Sequence, residues 1–164
     1  MATDIMIKFE GGNIPIKGES TVEGFVEQLE AHTFQEGFSN PYSGTGKGQV
    51  ASRTNASDVM VTTAPSQHSN LLKRSMFENN VFAKITISFL KQVGAKSELY
   101  EERVFTNAYI TSYSMSKQNE SVGHEAWSLN CTEVLSSYKV QNPETHALED
   151  ASTATLNLAA STSA

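Results

Sequence analysis

Polar and apolar residues alternate with a period of two along most of this chain, and that period predicts strands. Ile5, Ile7 and Phe9 alternate with Met6 and Lys8, giving a short strand over 4–9. Gly11-Gly12-Asn13 marks a turn, and Pro15 keeps Ile14 extended. Phe25, Leu29, Phe34 and Phe38 stand among polar residues, which predicts one or two strands over 25–38 with a bulge at Gly37. Further strands are expected at 49–53 and 58–62. The clearest half-buried strand sets Ala83, Ile85, Ile87 and Phe89 against Lys84, Thr86 and Ser88. Val93-Gly94-Ala95-Lys96 is a tight connection to 99–113, a long run of β-forming residues. A polar loop at 117–123 leads to a last strand over 127–140, with a bulge expected at Glu133-Val134.

One segment breaks the period. Leu71, Leu72, Ser75 and Met76 fall on one helical face, which predicts a helix at about 66–79. Ser66 is the expected cap, and Asn79-Asn80 suits the exit, where Asn tolerates left-handed geometry. After Pro143 the residues are mostly Ala, Ser, Thr and Leu, without aromatics or a clear period. The expected organisation is therefore a β-barrel domain over 1–142 and a flexible tail over 143–164. The expected fold is mainly β, a small β-barrel of two antiparallel sheets with one flanking α-helix, because closure removes exposed strand edges.

A length of 164 residues suits one core. The net charge of −6 and the lack of a basic run argue against a nucleic-acid partner. No apolar run reaches the roughly 20 residues that span a bilayer, so no membrane insertion is expected. The N-terminus has no basic segment followed by an apolar stretch, the mark of a cleaved signal peptide. Cys131 is the single cysteine, so it has no intramolecular disulfide partner. Alternation places it on the face of Trp127 and Leu129, as a buried, inert thiol.

The candidate chemistry is sparse. Gly44-Thr45-Gly46-Lys47-Gly48 suggests a phosphate loop, but the motif needs Gly at 41 and Ser or Thr at 48, where Pro41 and Gly48 stand. His32, His68, His124 and His146 lack metal-ligand spacing, and each is expected to be solvated or singly bonded. Gly-x-Ser-x-Gly is absent. Glu98, Glu101 and Glu102 beside Arg103 read as a solvated strand end, with Glu101 and Glu102 on opposite faces. No catalytic, cofactor-binding or metal residue is assigned, and the chain reads as a non-enzyme.

Several segments, taken in order, resemble the haemolysin-coregulated protein family of type VI secretion systems. The opening Asp4-Ile-Met-Ile-Lys8 is similar to the family's first strand, and Gly18-Glu19-Ser20 to its Gly-Glu-Ser turn. Phe34-Gln-Glu-Gly37, the Gly44–Gly48 loop with Val50, Ser57-Asp58-Val59-Met60-Val61 and Ser69-Asn-Leu-Leu72 follow in family order. Thr111-Ser112-Tyr113 and Tyr138-Lys-Val-Gln-Asn142 complete the likeness over about 3–142. The chain departs from the family at Thr21–Phe25, where an Asp and a His are usual, and at Phe34 and Glu36, where Trp is usual.

The resemblance implies a homohexameric ring that stacks into a hollow tube. Its implied partners are a contractile sheath, spike and baseplate proteins, and small effectors in the lumen. It also implies synthesis in the bacterial cytoplasm and export without a cleaved signal peptide. Tyr42, Ser43, Gly44, Thr45, Gly46, Lys47 and Gly48 become the expected ring-stacking loop, and Gln35, near the middle of the second strand, the expected lumen-facing position. A phage tail tube-like protein and a monomeric β-barrel ligand carrier are the alternatives.

Overall fold

The computed structural model describes residues 3–40, 42–43, 50–51, 54–145, 147–158 and 162–163. The strands are β1 (Thr3–Glu10), β2 (Leu29–Gln35), β3 (Phe38–Ser39), β4 (Tyr42–Ser43), β5 (Val50–Ala51), β6 (Asn55–Ala56) and β7 (Val59–Thr63). Helix α1 (His68–Phe77) follows, then β8 (Val81–Val93), β9 (Lys96–Ser116), β10 (His124–Asn130), β11 (Glu133–Gln141), β12 (Leu148–Asn157) and β13 (Thr162–Ser163). All pairings are antiparallel.

The main sheet runs β10-β7-β2-β1-β8-β9-β11-β12-β13, and β10 also pairs with β9. That second pairing closes six strands into a barrel and leaves β11, β12 and β13 as a flange. Closure depends on how the 21-residue β9 divides one of its edges. Glu101 to Thr106 pair with β11, and Tyr109 to Ser116 pair with β10. Between the two stretches sits Asn107, in left-handed geometry at φ 50°. Its side chain donates to Thr132 Oγ1 at 3.3 Å, and the Thr132 amide donates to the Thr106 carbonyl at 3.0 Å. The slip expected at Glu133-Val134 is therefore not a bulge but this junction, where the chain leaves β10 at Cys131-Thr132 and enters β11.

The barrel interior is filled. Trp127, Phe82, Phe105, Ile7, Ile85, Ile87 and Leu129 are fully buried in one cluster. Their volume occupies the space that a ligand carrier would need empty. Leu72 of α1 enters the same cluster, with Leu71 and Met76 packed at its border. Asn79 leaves the helix at φ 51°, as the sequence led us to expect. Ser66 does not cap it. Gln67 holds the cap position without a side-chain bond, and the Ser66 hydroxyl is engaged by His68 instead.

Three further expectations are corrected. Phe25–Gln28 belongs to a turn, with Glu27 at φ 63°, so β2 begins only at Leu29. Gly37 is not a bulge; it lies between β2 and β3, and its carbonyl accepts the Ser57 amide and hydroxyl, each at 2.9 Å. The β2–β7 register shifts between Ala31 and Thr33 instead. Residues 148–157, expected to be flexible, form β12 along the whole of β11. Backbone pairing to β11 needs no apolar period, so an exposed Ala-Ser-Thr strand suffices there.

Asn107 gives the closure a direct test. Asn107→Gly keeps the left-handed backbone at the junction, whereas Asn107→Val forces a β-branched residue into it. The expected outcome in urea unfolding is that the Val variant is less stable than the Gly variant by about 1–3 kcal/mol.

Candidate functional site: a projecting arm, an uncharged wall and a buried polar relay

Beyond β2 and β7 the two chains stay paired as a narrow arm. Phe38 faces Ala56 and Ser39 faces Asn55; further out, Tyr42 faces Ala51 and Ser43 faces Val50. The arm's strands pair only with each other, among the described residues. Of the expected stacking loop, Tyr42 and Ser43 form β4, while Gly44, Thr45, Gly46, Lys47 and Gly48 lie outside the described residues.

Gln35 is exposed and is the last residue of β2 rather than near its middle. It starts a cross-strand row on the barrel's outer face, running Gln35–Met60–Ser128–Ser112. The next row is Thr33–Thr62–Ala126–Ser114. Period-two alternation sends Val59, Val61 and Trp127 inward and these eight residues to the other face, where Ser128 is itself covered at 3% exposure. None of the eight is charged. At the wall's margin, Asp58 accepts from Thr111 Oγ1 at 2.9 Å and from Asn130 Nδ2 at 3.0 Å. Ser128 contacts the hydroxyls of Thr111 at 2.6 Å and Ser112 at 2.5 Å. Much of the polar surface is thus already bonded to itself.

The acidic cluster beside Arg103 is not a solvated strand end. Glu101 and Arg103 are two residues apart and share a face. Arg103 donates to Glu101 at 2.6 Å and to Glu36 at 2.8 Å, with its side chain 12% exposed. Burial opposes the guanidinium charge, but the bonds from Glu36 and Glu101 outweigh it and raise the pKa above its ordinary value. The guanidinium also lies over the Phe89 ring, 5.8 Å from its centroid. The cluster joins β9 to the chain just past β2.

A second polar group lies inside the barrel under α1, and sequence reasoning missed it. Glu125 is fully buried on the Trp127 face of β10, and His68 is 4% exposed. His68 Nε2 sits 2.5 Å from Glu125 Oε1. The Thr63 hydroxyl donates to the same oxygen at 2.7 Å, and the Tyr113 hydroxyl donates to Oε2. The other imidazole nitrogen, Nδ1, is 2.6 Å from Ser66 Oγ. His68 is therefore buried and bonded through both nitrogens rather than solvated. His32 and His124 are exposed, and His146 lies outside the described residues. Burial alone would raise the Glu125 pKa, but bonds from His68, Tyr113 and Thr63 outweigh it and hold the carboxyl down at about 2. Burial, helped by Glu125, pushes Tyr113 up to about 12. The signal was present in the sequence: alternation puts Glu125 on the core face with Trp127 and Leu129, and a carboxylate there requires donors.

Cys131 is buried, and burial pushes its thiol up to about 11. No group of three or more metal-ligating residues is found among the described residues. No described helix is long and apolar enough to cross a membrane.

Solved type VI secretion proteins share this fold. A type six secretion system protein matches with a TM-score of 0.88 at 20% identity, over 99% of this chain and 100% of that one. Hcp1 from Salmonella typhimurium matches at 0.78 and 19% identity, over 100% of both chains. A type VI secretion system effector from Yersinia pestis matches at 0.70 and 16%, over 94% of this chain and 99% of that one. No curated protein matches in sequence. The family model described as "Type VI secretion system effector, Hcp" matches residues 6–140, and the chain belongs to that family. It is a tube-type subunit of a type VI secretion system.

The buried carboxylate makes stability depend on acid. Glu125 stays ionised in the fold down to about pH 2, whereas in the unfolded chain it takes a proton near its ordinary 4.5. Its contribution is complete above about 4.5 and is lost as pH falls toward 2. The melting temperature is expected to drop between pH 4.5 and 2 more steeply in the parent chain than in Glu125→Gln. Parallel profiles from calorimetry would contradict this assignment.

Proposed function

We propose that the chain is the structural subunit of the secretion system's inner tube. Six copies close into a ring, rings stack into a hollow tube, and the tube is exported on firing. The contractile sheath, spike and baseplate are its machine partners, and small effector proteins travel in the lumen. Synthesis takes place in the bacterial cytoplasm, and export needs no cleaved signal peptide. Family membership supports the tube; the uncharged wall that contains Gln35 is the observation that supports its orientation.

A head-to-tail contact closes into a ring when its rotation fits. In such a ring the wall β2-β7-β10-β9 is the surface best suited to face the lumen. Passengers of either charge meet neither attraction nor repulsion on Thr33, Thr62, Ser114 and Gln35, so they are held weakly and released. The arm formed by β3, β4, β5 and β6, with the 44–48 segment, is the element that docks on the next ring.

Light scattering after size exclusion is expected to give about six times the 17.9 kDa chain mass. A monomer at high concentration would sink the ring. Replacing residues 44–48 by two glycines is expected to leave the melting temperature unchanged and abolish stacked tubes in electron micrographs. Gln35→Arg places a cation on each copy's wall and is expected to leave the ring intact while changing effector retention.

A further inference from the structure

We propose that Ser66 is a reactive nucleophile: Ser66, His68 and Glu125 form a serine–histidine–carboxylate relay that takes an acyl group from small esters. The order of the groups follows from their chemistry. An ionised Glu125 can only accept, so the hydrogen on the His68 ring lies on Nε2, facing Oε1 at 2.5 Å. In the neutral imidazole the lone pair then falls on Nδ1, which faces Ser66 Oγ at 2.6 Å. In that neutral form the serine hydroxyl donates to a base whose other side is fixed by a carboxylate, the arrangement that activates a serine. Thr63 and Tyr113 fix the carboxylate in turn, so Glu125 is the positioning residue. A serine that only capped α1 would bond a first-turn amide; Ser66 Oγ bonds the ring instead.

The base is buried while the nucleophile is reachable. Ser66 is half-buried and borders two cavities. One, of about 260 Å³, is bounded by Leu29, Ala64 and His68 with Glu19 and Glu30 also in its lining, and suits a short uncharged acyl group rather than an acidic one. The other, of about 340 Å³, is bounded by Met115, Lys73 and Lys117 and suits an alcohol portion that carries a negative charge away from the ester. The hydroxyl oxygen attacks the ester carbonyl as its proton passes to His68 Nδ1, and the carbonyl π pair moves to oxygen. Collapse of that adduct breaks the bond to the alkoxide, which leaves with the proton from Nδ1. Ser66 then carries the acyl group as an ester. Water attacks it in the same way, giving up its proton to Nδ1, and the serine oxygen recovers that proton as the acid departs. The search for Gly-x-Ser-x-Gly passes over this group because Ser66 and His68 are two residues apart, with the carboxylate on a distant strand.

The test is labelling of the folded full chain with a fluorophosphonate probe, mapped by mass spectrometry. One adduct is expected, on Ser66; it is absent in Ser66→Ala and forms about 100-fold more slowly in His68→Gln. A second variant stands in if His68→Gln does not fold. Ser66→Cys introduces a thiol beside the base, while Cys131 stays buried and silent. At pH 6 that thiol is expected to react with iodoacetamide at least about 10-fold faster than an exposed Ser121→Cys control. No adduct on Ser66, or a Ser66→Cys thiol no faster than the control, overturns the proposal.

Discussion

Closure of the barrel rests on a few backbone contacts where β9 changes partners. Ahead of Asn107 its free edge carries β11; beyond it, β10. A strand cannot hold two neighbours on one edge at the same place, so the exchange requires a break in the ladder. The left-handed Asn107 on one chain and the Cys131-Thr132 step on the other supply it. With β10 held there, β7 and then β2 follow in register, and Trp127 is delivered to the centre of the core. The flange is the other product of the same exchange, since β11 must go outward when β10 goes inward.

The regular elements were legible because each announces its own period. Ile5, Ile7 and Phe9 gave β1, Ala83 to Phe89 gave the body of β8, and Leu71, Leu72 and Met76 gave α1. What failed depends on partners rather than period. Residues 148–157 carry no core face, so nothing in them reports that β11 has a free edge to fill. The partner exchange at Asn107 is likewise a contact between segments about 25 residues apart, and the sequence shows only a slipped alternation near it. Ser66 was read by its frequency before helices, and His68 took the hydroxyl instead.

The polar interior follows a similar logic. Arg103 among glutamates suggested a solvated strand end, and Glu125 drew no reading at all. In three dimensions Arg103 reaches Glu36 from another strand's end, and Glu125 receives donors from α1, β7 and β9. A buried charge with one partner is costly, and one with several hydrogen bonds is held. The spacing of these partners along the chain, 67 residues for Glu36 and Arg103 and 57 for His68 and Glu125, put them beyond motif reading.

Seating a helix on a barrel does not call for a carboxylate. Leu72 of α1 is already fully buried, and apolar side chains in place of His68 and Glu125 would serve packing at least as well, since a buried polar pair gains little over hydrophobic neighbours of its size. What packing does not account for is the orientation. Thr63, Tyr113 and Ser69 also bond the carboxylate, and the imidazole is left with its second nitrogen turned to the half-buried Ser66 hydroxyl. A network built only to satisfy itself could close on any donor inside. This one runs through Ser66, at the mouth of α1 between two cavities, where the Ser66 amide also donates to Ser69 Oγ at 3.1 Å; the placing of the imidazole's second nitrogen against a half-buried serine is what a tube subunit's architecture does not require.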